Sequence, residues 1–414
     1  MPERRTSVKR SLDSWRRAMK AFGVYNYRLF FAGQTVSIAG NWMQRVAQSW
    51  LVLELTGNGA IVGAVISAQF LPILLLAPVG GGIADRFSKR RILLVTQTLA
   101  ACSAGTLGLL VLLGVVELWM VILLALGLGV VDSVDNPTRH AFVLELVGPS
   151  KLLSALGLNS VLTNLARVVG PAVGGLLIGT MGVGLCFVVN SLSYLGLIFA
   201  LLAMRVSDMK FADEPPTSER GLLAVWGYVR AKPGLLVPLI MMAVVSLFAY
   251  EFEVVLPLLA RFTYSGDAGT FGVMFSAVGL GAICGGMFTA TQAERPGRSL
   301  LVATYLVAFS IALVAIAPSI FTTNLVLVFV GASTAAFFTL ANSIVQLNSV
   351  QDMRGRVIAL RTMAVLGARP LGAPVVGAIG EALGPRWALG VGSVAALSVA
   401  VWARFAWREG FTKQ

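Results

Sequence analysis

Runs of about twenty apolar residues recur along almost the whole chain, and short segments holding most of the basic residues separate them. Few folds admit that pattern. The runs and their breakers predict spans near 28–54, 60–83, 92–114, 118–138, 154–179 and 183–204, then 236–262, 268–291, 299–317, 321–347, 357–379 and 386–405. A bilayer core about 30 Å thick takes roughly 20 helical residues to cross. Backbone in lipid must satisfy its own hydrogen bonds, so the spans are read as helices. The expectation is an all-α polytopic membrane protein with twelve transmembrane helices in two six-helix bundles. Composition agrees, since only 12% of residues are charged against roughly 25% in soluble domains.

The net charge of +13 would suit a nucleic-acid partner only if the basic residues formed one surface, and they do not. Of the 32 Lys and Arg, Arg45, Arg167, Arg361 and Arg369 fall within spans, and Arg261 and Arg386 at the ends opposite the tails. The other 26 lie on the side of both tails, which the positive-inside rule assigns to the cytoplasm. The reading is a multi-pass inner-membrane protein with both termini cytoplasmic and no nucleic-acid partner. It divides into a basic tail (1–27), a first bundle (28–204), a linker with an interfacial helix (205–235), a second bundle (236–405) and a short tail (406–414). The first apolar run follows a long basic tail and is too long for a signal-peptide core. Cys102, Cys186 and Cys284 all lie inside apolar runs and are read as fillers. No metal or cofactor site is expected.

Polar residues inside spans are the informative exceptions. In the first span Gln34, Ser37, Asn41, Arg45 and Gln48 recur every three or four residues, a stripe roughly 80° wide on a helix, read as a cavity wall. A charge at mid-span costs roughly 2.5–3.5 kcal/mol or more, so Arg45 needs a partner or water. In the fourth span Asp135 and Arg139 are placed to pair, while Asp132 has no local partner and is a candidate proton or cation site. Glu251 and Glu253 in the seventh span stand about 200° apart on a regular helix; one is expected to face the cavity and the other to look elsewhere. Asn159, Thr163 and Arg167 form a stripe on the fifth span, as do Thr339, Asn342, Gln346 and Ser349 on the tenth. Polar faces on spans one, four, seven and ten argue for a central hydrophilic path. His140, at the end of the fourth span, is read as an ordinary solvated histidine.

The halves also echo each other: RVVGPAVGG in the fifth span and ARPLGAPVVG in the eleventh each set an arginine, Arg167 or Arg369, before a Gly/Pro cluster, as internal transporter repeats do. The loop GGIADRFSKRRIL resembles the loop motif of the major facilitator superfamily, with Gly81, Asp85, Arg86, Lys89 and Arg90 on its positions and Ser88 in place of a second glycine. Gly170, Pro171, Gly174 and Gly175 match that superfamily's antiporter motif. YRLFFAGQTVSIAGNWMQRVAQSWLVLELTG, the DNPTR that ends in Arg139, and RGRVIAL at 354–360 are similar to the branch holding the enterobactin exporter and bacterial drug:proton antiporters. The resemblance covers nearly the whole chain. It implies spans one, four, seven and ten around the cavity, a cytoplasmic gate built on the loop motif and Arg139, and a monomer. One departure stands out: the fourth span lacks the arginine that many of those antiporters carry.

The function expected is secondary active export of small amphipathic molecules such as drugs or siderophores, with protons as the coupled ion. No phosphate-binding G-x-x-x-x-G-K-[ST] loop occurs. A nucleophile–base pair for an intramembrane enzyme is also missing. The alternatives are a non-transporting receptor or scaffold on a transporter fold, against which the four polar stripes argue, and an uncoupled facilitator or importer.

Overall fold

The computed structural model describes residues 19–206, 222–289 and 296–411. The first half holds α1 (Tyr25–Thr56), α2 (Gly59–Arg86), α3 (Lys89–Leu112), α4 (Leu118–Val147), α5 (Leu152–Met181) and α6 (Val183–Ala203). A short helix, α7 (Leu222–Arg230), precedes the second half. There α8 (Pro233–Val244) and α9 (Phe252–Leu258) form one interrupted span, followed by α10 (Ala268–Thr289), α11 (Pro296–Ile316) and α12 (Ile320–Asn348). A second interrupted span, α13 (Gln351–Leu366) and α14 (Arg369–Ala382), leads to α15 (Pro385–Phe411). No strand occurs among the described residues.

Eleven of these spans are long and apolar enough to cross a membrane. Helix α1, at 32 residues, is about 48 Å long but falls short on apolarity, because its polar stripe dilutes the run. The expected count of twelve therefore rests on α1 as a polar-striped span held between other helices. Within the first half α1 packs on α5 and α6, α3 on α4 and α6, and α2 on α4; within the second, α12 packs on α10 and α11, and α11 on α15. Large apolar side chains such as Leu75, Leu123, Phe199, Phe329 and Trp387 face outward, the surface that lipid would cover. Residues 207–221 of the linker expected at 205–235 lie outside the described residues. In α7 Val225 and Val229 are buried against Val345, Met353 and Val357 while Trp226 faces out, so one face docks on the second half.

The halves meet chiefly where α14 lies on α2 and α10 on α5. These contacts gather at the end away from the basic loops. The Gly59 N–H donates to Glu381 Oε2 at 2.8 Å, the Ser67 hydroxyl to the Pro370 carbonyl, Arg261 Nη1 to the Leu53 carbonyl at 2.9 Å, and Ser276 Oγ to the Val168 carbonyl at 3.0 Å. Gly175 and Gly272 face each other so closely that a Cβ on Gly175 would lie 2.9 Å from the Gly272 Cα. Small residues at such a crossing let backbones pack without any hydrophobic drive between helices in lipid.

Candidate functional site

The site begins with a flaw in a helix. Residues Val245–Ala249 form a wide π-turn after α8, and Tyr250 and Glu251 leave helical geometry before α9 starts. The Leu247 carbonyl, turned aside by this widening, faces α14 at Gly372, where an added Cβ would overlap it. The break rotates Glu251 relative to Glu253, so both carboxylates reach the same cation. Arg369 Nη2 lies 3.6 Å from Glu251 Oε2 and 3.2 Å from Glu253 Oε1. Arg45 of α1 reaches Glu253 Oε1 at 3.2 Å. The expectation that the two glutamates could not share a face assumed about 100° per residue, and the π-turn removes that premise.

Aromatic rings complete the cluster. Arg369 lies over Phe70 at 4.3 Å, and Arg45 and Arg167 both lie over the Trp42 ring, at 4.7 Å and 5.0 Å. Glu253 thus holds two guanidinium groups from opposite halves of the molecule, whereas neither oxygen of buried Glu251 has a hydrogen bond. The cluster borders a cavity of about 440 Å³ whose wall includes Trp42, Arg45, Arg167, Tyr250, Phe338 and Arg361. The volume suits a small molecule, and the wall mixes aromatic area with a few polar groups as ligand sites do. Arg361 and Gly286 extend the cavity toward the basic loops, away from the end where the halves are zipped together.

The sequence-derived candidates divide. Arg45, Arg167, Glu253 and Arg369 line the cavity, with Glu251 behind. Gln34, Asn41 and Gln48, expected on its wall, are not there. Gln34 donates to Asn159 at 2.6 Å, Asn41 accepts from Tyr194 and from Asn190 at 3.5 Å, and Gln48 donates to Gln69 at 3.3 Å. The stripe is consumed by seams with α2, α5 and α6, since an amide between packed helices gains more from a neighbour than from facing lipid. Asn159 is used up by Gln34. Asn342 accepts from Arg361 Nη1 at 2.7 Å, and Gln346 is exposed; of that stripe Thr339 alone reaches the wall.

Spans one, seven and ten line the cavity as expected, but none of the lining residues comes from α4; α2, α5, α10 and the α13–α14 span contribute as well. Asp135 is spent on a structural network: Oδ2 takes Arg139 Nη2 at 2.8 Å, and Oδ1 accepts from Thr96 at 2.7 Å and Gln97 at 2.8 Å. Asp132, half-buried, has no partner among the described residues.

The loop motif is half engaged. Lys89 pairs with Glu145 at 2.6 Å, and Arg90 donates to the carbonyls of Leu201 at 2.7 Å and Leu202 at 3.2 Å, capping α6. Asp85 and Arg86 are exposed, and Gly81 has open space around it. The reason is that this end of the molecule is the parted one. In the antiporter-like motif Gly170 packs on Trp42, Gly174 on Met43 and Gly175 on Gly272, with the Pro171 carbonyl also against Gly272, so the motif forms the joint of α5 with α1 and α10. Sequence reasoning missed Trp42, Phe70, Asn164, Tyr250 and Phe338 as wall residues. Trp42, three residues before Arg45 and so on its helical face, was the one signal available.

The family model described as Transmembrane secretion effector matches residues 18–411. The chain belongs to that family, within the major facilitator superfamily. The staphyloferrin A transporter of Staphylococcus aureus is 22% identical over 86% of this chain and 90% of its own length. The multidrug efflux pump Tap of Mycolicibacterium fortuitum is 26% identical, covering 86% and 89%. The enterobactin exporter of Salmonella typhi is 25% identical, covering 87% and 86%. Among solved structures, the POT family transporter PepTSo aligns with TM-score 0.77 at 11% identity over 94% of this chain and 99% of that one. An inward-facing bacterial homologue of the lysosomal transporter Spinster aligns with TM-score 0.73 at 15% identity, covering 93% and 96%. Family and fold make this chain a multi-pass membrane transporter.

Proposed function

We propose that this chain is a secondary active exporter of small amphipathic molecules, driven by proton influx and working by alternating access from the inner membrane with both termini in the cytoplasm. The supporting observation is the Arg45–Glu253–Arg369–Glu251 cluster, which ties the two halves together at the closed end of a cavity that widens toward the basic loops. With 26 of 32 cationic residues on that side, the cavity opens to the cytoplasm and the molecule stands in its inward-facing state. The export direction follows the relatives, among them a drug efflux pump and a siderophore exporter.

The chain's own charges supply a coupling device. Arg45 and a proton compete for Glu253, since each satisfies the buried carboxylate. When the halves part at the outer end, Arg45 withdraws and Glu253 can take a proton from outside. When they close, the guanidinium returns, and the proton leaves through the cavity into the cytoplasm. Substrate carried out in one direction is thereby exchanged for a proton carried in.

The test is reconstitution in proteoliposomes with an imposed pH gradient, following lumenal pH while dyes, macrolides and catecholate siderophores are added. Substrate-dependent proton movement that falls at least tenfold in Glu253→Gln is expected. A substrate carried down its own gradient with no proton movement would reduce the reading to an uncoupled facilitator.

A further inference from the structure

The cavity wall is cationic beyond its own needs. Arg45, Arg167, Arg361 and Arg369 line it, and Glu253 is the single carboxylate among the lining residues, with Glu251 behind it. The two glutamates are already committed to Arg45 and Arg369. Arg167 and Arg361 have no carboxylate partner among the described residues. Arg361 holds only the neutral amide of Asn342, at 2.7 Å, and Arg167 only the face of Trp42. The Nε of each is buried and has no hydrogen-bond partner. A guanidinium has five N–H donors in a planar fork that matches a carboxylate or phosphate. Leaving such donors unpaired in a membrane-embedded wall is costly.

We infer that the transported molecule is an organic anion, its acidic group held by Arg167 and Arg361 and its apolar body by Trp42, Tyr250, Phe275 and Phe338. This inference names the substrate class for the exporter proposed above and rests on that reading of the cavity. A cationic amphiphile would meet the excess of like charge and leave both guanidinium groups unsatisfied. The acidic group could belong to a soluble metabolite or drug, or to the headgroup of an anionic lipid; the chemistry recognised is the same.

The test needs binding alone. Purified full-length protein in nanodiscs of phosphatidylcholine is titrated with 1-naphthylacetate and with (1-naphthylmethyl)trimethylammonium, which share one aromatic body and differ in the sign of their charge. The expected result is at least tenfold tighter binding of the carboxylate. Arg167→Gln and Arg361→Gln should each weaken it about tenfold, a larger loss than either shows for neutral 1-naphthalenemethanol, and an unchanged unfolding temperature controls for folding. Arg361→Lys should restore part of the loss. Nanodiscs containing phosphatidylglycerol separate the two sources: competition there points to a lipid headgroup, and indifference to a soluble anion. Equal affinity for both probes, preference for the ammonium, no binding of the carboxylate at millimolar concentration, or unchanged carboxylate binding in both glutamine variants overturns the inference. Anion binding without proton-coupled transport would leave it standing and remove the exporter reading; proton-coupled transport of cations would do the reverse.

Discussion

At the scale of single residues, the molecule turns on how few partners its buried charges have. Arg369 is the ion-pair partner of Glu251 and one of two for Glu253, so Arg369→Met strands the buried Glu251 carboxylate and leaves Glu253 to Arg45 alone. Removing one member of a buried ion pair costs about 3–5 kcal/mol, and a large drop in unfolding temperature in detergent is the expected outcome. The two glutamates should differ. Glu253 receives Arg45 and Arg369, both at 3.2 Å, whereas Glu251 lies 3.6 Å from Arg369 and accepts no hydrogen bond. Glu251→Gln should therefore be nearly neutral for stability, and Glu253→Gln clearly destabilising. Equal shifts for the two in the same thermal assay would mean that the cluster is not held as the distances imply. The sequence named all four of these charged residues, because a charge inside an apolar run has few explanations. It did not pair them, because pairing depended on a π-turn that no residue type between Val245 and Glu251 announces.

Helices supply the next scale, and here what could be read depended on whether a signal was local. Start and stop positions were nearly all visible, since apolar runs and their Gly/Pro breakers are set by bilayer thickness. Seam against cavity was not visible: one polar stripe on α1 serves both, with Arg45 turned to the cavity and Gln34, Asn41 and Gln48 turned to α2, α5 and α6. Only the placement of neighbouring helices decides between them. A local cap outside the membrane gives a prediction at this scale. Asp267 precedes α10 and accepts from the Thr270 backbone N–H at 2.9 Å and the Thr270 hydroxyl at 3.0 Å. Those hydrogen bonds favour the charged form, so its carboxyl titrates below the usual carboxylate range. A group lowered in the folded state stabilises fully above its unfolded value, near about 4, and loses that contribution as pH falls through the lower folded value. Asp267→Ala should cost about 1 kcal/mol at neutral pH, the usual worth of a helix N-cap. The gap from wild type should narrow at pH 3, while Asp267→Asn stays close to wild type at pH 7. A gap that widens on acidification would contradict the cap.

For the whole molecule, the internal repeat has a mechanical sense. Arg167 and Arg369 occupy corresponding places ahead of Gly/Pro clusters. Each begins a face that crosses to the other half, α5 onto α10 through Gly175 and α14 onto α2 through Gly377, where an added Cβ would overlap the Gly59 carbonyl. Two crossings related in this way can act as a pair of hinged seams: they close one end of the cavity now and must part for the other state. Alternating access then requires that locking the closed end stops transport without emptying the cavity. A disulfide can make that lock, because Ser276 Oγ lies 3.0 Å from the Val168 carbonyl across the α5–α10 seam. In a background with Cys102, Cys186 and Cys284 replaced by alanine, Val168→Cys with Ser276→Cys should cross-link on mild oxidation. Transport in proteoliposomes should fall to the level of empty vesicles and return on reduction, while ligand binding from the open side persists throughout. The single-cysteine variants, oxidised alike, should transport normally, so that a loss in the pair reports the bridge rather than the substitutions. Undiminished transport by fully cross-linked protein would mean that this seam never opens, and the substrate would have to leave by a path that does not separate α5 from α10.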